Sequence, residues 1–138
     1  MAIQLTKDNT ASPDAYSDGD GSDPIVVALT LDGTNTPTNI SGSPVTDLFV
    51  WANDDTGNID NYSNIVVSIE GADAGIVWEV SLNNTDFSSS ISVPTLDVSI
   101  THATTQIYTK ATAINDGSVL TANYTAAGIK IAAVENPA

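Results

Sequence analysis

Cysteine and arginine are missing from this 138-residue chain, and lysine occurs only three times, at Lys7, Lys110 and Lys130. The lack of Cys excludes disulfides, thiolate metal sites and cysteine nucleophiles. The lack of basic residues is as informative. Seventeen acids against three cations leave a formal charge of −14. Nucleic-acid backbones are held by neutralising Lys and Arg, so direct nucleic-acid binding is excluded as a function class. Anionic membrane surfaces are disfavoured for the same reason. No apolar run approaches the ~18 residues of a membrane span. The opening MAIQLTKDNT has no basic region followed by an apolar core, so no secretory signal is expected.

Catalytic furniture is equally sparse. His102 is the sole histidine, and it is expected in a loop after the strand that ends at Ile100. A triad needs a base beside a nucleophile and an orienting carboxylate. No Ser lies in a Gly-x-Ser-x-Gly elbow. Zinc would need ligands that the chain does not offer, and there is no Gly-rich phosphate cradle. The expectation is a protein that is not an enzyme. Paired carboxylates for glycoside cleavage are the one arrangement a linear pattern leaves open, because any two acids can meet in space.

What the chain does have is Val, Ile and Thr in short runs, punctuated by Asp, Asn, Ser and Gly. Ile25, Val27, Leu29 and Leu31 fall on one face, as do Leu48, Val50 and Ala52, and Ile65, Val67 and Ile69. Ile76, Trp78, Val80 and Leu82 follow, then Leu96, Val98 and Ile100, then QIYTKATAI and GIKIAAV. Apolar residues at every second position mark half-buried strands. Turn clusters separate them at DGTNTPTNISGSP, EGADAG, NNTDFSSS, THATT and INDGS. The nearest helical candidate, TANYTAAG, is short and poorly capped. About seven short strands with frequent turns predict an all-β, antiparallel β-sandwich, with a jelly roll as the alternative. Residues 1–24 carry only Ile3 and Leu5 as an apolar pair before a polar run, and are expected to be an extended N-terminal arm ahead of a sandwich domain at 25–138.

Two acidic stretches invite a metal reading. In WANDDTGNIDNYSN, residues 51–64, the carboxylates at 54, 55 and 60 do not follow a calcium-loop order, and Gly57 with its Asn neighbours suits Asx turns. That run is expected to turn the chain before a strand resumes near Ile65. In DGDGSD, Asp18, Asp20 and Asp23 alternate with glycines and are the calcium candidates, although the EF-hand ligand order and its closing Glu are absent. A solvated acidic linker is the competing expectation. Otherwise no cofactor is expected. Four sequons, at Asn39, Asn61, Asn83 and Asn123, are what so much Asn, Ser and Thr produces by chance.

The strand at 45–52 has an unusual second face. If Leu48 and Val50 point inward, Phe49 and Trp51 point outward. Outward aromatics on a sheet are either covered by the arm or used to contact another chain. Ile3, Leu5, Phe49 and Trp51 are therefore the candidate interface residues.

The stretches LFVWANDDTGNIDNYSNIVVSIEG, VWEVSLNNTDFSSS, YTKATAINDGS and GIKIAAVENP resemble a pattern met in small structural proteins of tailed phages. In that pattern a strand ends in an Asn-Asp pair, here Asn53 and Asp54. A Y-x-N-I strand follows, here Tyr62 to Ile65. A Trp-bearing strand comes next, here with Trp78, and an I-x-A-x-E strand closes the domain, here Ile131 to Glu135. The resemblance covers about residues 45–136. It departs at 107–113, where such proteins often carry several basic residues and this chain has only Lys110.

The resemblance implies an immunoglobulin-like module on the outer capsid surface of a virion: a decoration or cement protein that binds the major capsid protein and stabilises its lattice. The arm would order on binding by adding a strand to a neighbour's edge. Cyclic symmetry about capsid axes makes a homotrimer the expected self-association. The competing reading is a carbohydrate-binding or adhesion module on a virion or cell surface, with Trp51 as an aromatic platform and Asn53, Asp54 and Asn61 as hydrogen-bonding partners.

Overall fold

The computed structural model describes residues 3–6, 25–26, 29–30, 39–42, 48–54, 56–71, 75–98, 105–114, 123–124 and 128–138. Among these residues all regular structure is strand, and every strand pairing is antiparallel. The all-β antiparallel expectation is met. The strands are β1 (Gln4–Thr6), β2 (Ile25–Val26), β3 (Leu29–Thr30), β4 (Asn39–Gly42), β5 (Phe49–Trp51), β6 (Ile59–Glu70), β7 (Ile76–Ser81), β8 (Ser90–Val93), β9 (Leu96–Asp97), β10 (Thr105–Gln106), β11 (Tyr108–Ile114), β12 (Asn123–Tyr124) and β13 (Gly128–Pro137).

The largest sheet is built on β6, which has β13 on one side and both β8 and β9 on the other, with β2 beyond β13. A second sheet runs β4-β11-β7, a third β1-β5-β10, and β12 pairs β3. The chain from β10 into β11 serves two sheets. Thr105 and Gln106 pair with β5, the Ile107 amide donates to the Leu48 carbonyl at 2.8 Å, and Tyr108 onward pairs with β7.

The core follows from the alternation. Leu48 and Val50 are sealed inside, and so are Ile65, Val67, Ile76, Trp78, Val80, Ile129 and Ile131. Together with Leu5, Tyr62, Val93, Ile107 and Ala111 they form one apolar cluster fed by all three of the larger sheets. Each such side chain contributes ~1.5–3 kcal/mol by leaving water, which offsets the entropy of ordering a chain so rich in Ser, Thr and Gly.

β6 begins six residues earlier than the alternation predicts, at Ile59 rather than Ile65. The cause is a bulge. Ala132 pairs with Val66 and Val134 with Ser63, so Asn64 and Ile65 together oppose the single residue Ala133. The extra residue shifts the parity, so that Tyr62 and Ile65 both face the core despite being three apart. Asn64 carries a φ of 49°, a left-handed conformation that Asn adopts more readily than other non-Gly residues. A sequence reader counting by twos loses the strand at this point.

The N-terminal segment contributes a strand as well. Residues 4–6 form β1 and pair with Phe49–Trp51, with Leu5 opposite Val50. Ile3 and Leu5 are buried in the shared cluster. Leu5 lies within β1 and Ile3 just ahead of it. β8 is a further strand that the serine-rich NNTDFSSS run concealed. Ser90 and Ser92 are exposed while Val93 is buried and Ile91 packs against the core.

Candidate functional site

The Asn- and Asp-rich run between β5 and β6 is the densest polar constellation among the described residues, and Asp54 organises it. The residue is only 2% exposed. One oxygen, Oδ1, accepts from the Thr56 amide at 3.0 Å and the Thr56 hydroxyl at 2.6 Å. The other, Oδ2, accepts from the amides of Asn58 at 2.9 Å and Ile59 at 2.8 Å. Four donors from Thr56, Asn58 and Ile59 wrap one side chain. Gly57 supplies the positive φ of 75° that the wrap requires. A Cβ there would meet nothing within 4 Å, so the requirement is on the backbone sign, not on space.

These donors stabilise the charged form. The Thr56 hydroxyl, followed by the three amides, outweighs the opposing effect of burial and holds the Asp54 pKa down to about 2. Asp54 therefore stays ionised and saturated at any ordinary pH. A carboxylate so engaged has little left to offer a cation or a sugar.

Tyr62 locks the other side of the turn. Its ring is buried, and its hydroxyl donates to the Asn53 carbonyl at 2.7 Å. Burial, with help from the nearby charges of Glu135 and Asp54, pushes the phenol up to about 12, so it remains a donor. Beyond it, Asn136 Nδ2 donates to Asn61 Oδ1 at 2.7 Å and Ser63 Oγ at 2.9 Å, joining β13 to β6 side chain to side chain. Asn61 Nδ2 in turn donates to Asp60 Oδ2 at 3.1 Å. The Ala138 amide closes on the Asn58 carbonyl at 3.0 Å. The run turns the chain, as its residue types predict.

The proposed sugar patch does not assemble as a platform. Trp51 is only 9% exposed, on β5 between β1 and β10, and Asp54 is spent. Asn53 and Asn61 are half-buried. The candidate interface residues divide the same way. Ile3, Leu5 and Trp51 are buried within this chain, with β1 laid along β5, which is the covered alternative of the two expected for this face. Phe49, opposite Thr6 and Gln106, is half-buried. Asp18, Asp20, Asp23, Asp55 and His102 lie outside the described residues. Among the described residues no three His, Cys, Asp or Glu side chains gather as metal ligands would.

Two features go beyond the turn expected at NNTDFSSS. After β7, Asn83 Oδ1 accepts from the Ser81 hydroxyl and from the amides of Thr85 and Asp86, while its Nδ2 donates to Asp86 Oδ2 at 2.8 Å. Asn84 takes the left-handed φ of 60° that lets this turn close. An open groove of about 240 Å³ runs beside it, with Leu82 and Ile91 as its apolar lining and Asn83, Asp86 and Ser92 as its polar one. The second is the ammonium of Lys110, which sits 5.2 Å from the Phe87 ring centroid. An Asx turn is readable from NNTD, but the residues that flank it across the sheets are not.

Comparison of the chain with protein-family models, with curated proteins and with solved structures finds no match.

Proposed function

We propose that this chain is a virion structural protein of the decoration or cement type, an immunoglobulin-like β-sandwich that docks on the outer capsid surface and stabilises the major capsid lattice. The observation that carries this proposal is the way the polar residues are used. Asp54, Tyr62, Asn61, Asn83 and Asn136 satisfy the chain's own turns and strand pairs. A body whose polar side chains brace itself suits passive docking better than turnover. The acidic balance keeps such a body soluble and apart from its copies until a specific surface meets it. Homotrimer formation about a capsid axis belongs to the same proposal.

The pattern of residues from Asn53 to Glu135 resembles small structural proteins of tailed phages, and that resemblance supplies the partner class. The carbohydrate-binding alternative has less support from the geometry, because its aromatic platform, Trp51, lies against the chain's own β1 and β10. The test is direct. Purified protein is added to expanded, undecorated capsids, and binding is followed by co-sedimentation and by the capsid melting transition. Saturable binding with a raised transition is expected. Neither binding nor stabilisation would refute the proposal, and a glycan array then decides whether the carbohydrate alternative replaces it.

A further inference from the structure

We propose that β1 is an exchangeable strand, and that the β5 edge it occupies is a docking site for the same strand from a second copy of this chain. The inference rests on geometry and does not depend on what the domain docks to. β1 is three residues long, and among the described residues its strand partner is β5. It is nevertheless deeply anchored: Leu5, with Ile3 just ahead of the strand, is buried in the main cluster, and Thr6 is buried as well. The site that receives them is formed by residues far along the chain, Phe49 to Trp51 with Leu48 behind. A short strand with a deep apolar anchor, remote in sequence from its receptor, is what strand exchange requires.

The connection is long enough in sequence to reach a neighbouring copy. Eighteen residues separate Thr6 from Ile25, and a stretch of that length spans up to ~60 Å when extended. An exchanged strand would make the same contacts with a partner's β5 as with its own. The balance is then set by concentration: the closed form wins until neighbouring copies exceed the effective concentration of the tethered strand, on the order of millimolar. Copies held side by side in an array reach that regime, whereas dilute copies do not.

The lack of Cys makes the test clean. Thr6 and Phe49 are register partners, within the Cα separation a disulfide tolerates. Two single variants, Thr6→Cys and Phe49→Cys, are mixed, unfolded, refolded together and oxidised, and covalent heterodimer is scored on a non-reducing gel. The double variant serves as the control that the pair can bridge within one chain. The heterodimer share is expected to rise at least tenfold between about 10 µM and about 1 mM protein. The unsubstituted chain, refolded over the same range, is expected to show dimers or larger species by light scattering at the upper end. The proposal is overturned if the double variant bridges internally but the mixed singles give no heterodimer at any concentration. It is equally overturned if the unsubstituted chain stays monomeric throughout, which settles the matter should the Cys variants fail to fold.

Discussion

Leu5→Ala tests whether the N-terminal segment is an arm or part of the domain. Leu5 is 0% exposed, faces Val50 across the β1–β5 ladder and belongs to the main cluster. Truncation to Ala removes three buried carbons, worth about 2–2.5 kcal/mol in transfer free energy at ~0.8 kcal/mol each. A cavity term adds to this where the surroundings cannot close up, so that measured Leu→Ala losses reach about 5 kcal/mol. β1 is a short edge strand and can relax, which places the expected loss at about 2–4 kcal/mol. There is a ceiling. Once the loss exceeds what holds β1 in place, the strand detaches and further damage to it costs nothing. Ile3→Ala in the Leu5→Ala background should therefore cost less than Ile3→Ala alone, a coupling that a double-mutant cycle reads directly. Urea midpoints and thermal melts measure both. For a chain of this length the single substitution should lower the melting temperature by about 3–4 °C per kcal/mol. A loss under about 1 kcal/mol, within reach of an ordinary surface substitution, would mean that β1 does not belong to the folded domain. The strand-exchange proposal would fall with it.

Tyr62→Phe removes the donor to the Asn53 carbonyl and should cost about 1–2 kcal/mol in urea unfolding, because the carbonyl loses a partner in a half-buried place; an unchanged midpoint would argue against that bond. Asp54 has its pKa lowered from 3.8 to about 2, so the stability it contributes is complete above about pH 4 and is lost as pH falls through about 2. Melts from pH 5 down to 2 should show the unsubstituted chain losing an increment that Asp54→Asn, destabilised throughout because an amide nitrogen cannot accept from the Asn58 and Ile59 amides, does not lose again; parallel curves would refute the assignment. Asn64→Gly should be tolerated at the bulge, whereas Asn64→Val should cost at least about 1–2 kcal/mol, since a β-branched residue resists a left-handed φ; equal stability of the two variants would contradict the observed backbone. Lys130→Met should change stability by less than about 1 kcal/mol, because its pair with Glu70 at 3.1 Å is well exposed to water.

Much of the architecture was legible from alternation alone. The inward positions at Leu48, Val50, Ile65, Val67, Ile76, Trp78 and Val80 are those the period of two selects. The turn at 52–58 was legible from its Asp, Asn and Gly content, because those residues satisfy local backbone groups with little help from elsewhere. The start of β6 was not, because the bulge at Asn64 breaks the count. β8 was hidden by its serines, whose hydroxyls suit an exposed sheet face as well as a turn.

Local chemistry in the chain by itself therefore pointed to the class that the described residues show: antiparallel strands, with bends made of acids and amides. Such properties depend on residues within a few positions of one another. Tertiary structure alone decided which apolar side chains are free. Whether the Trp51 face of β5 is covered or free stayed open in the sequence until β1, forty-odd residues before its partner, is laid along β5. Asn136 reaches Asn61 only because β13 lies beside β6. Burial is set by pairing across long stretches of chain, and no spacing within a single strand records which strand will arrive to cover it.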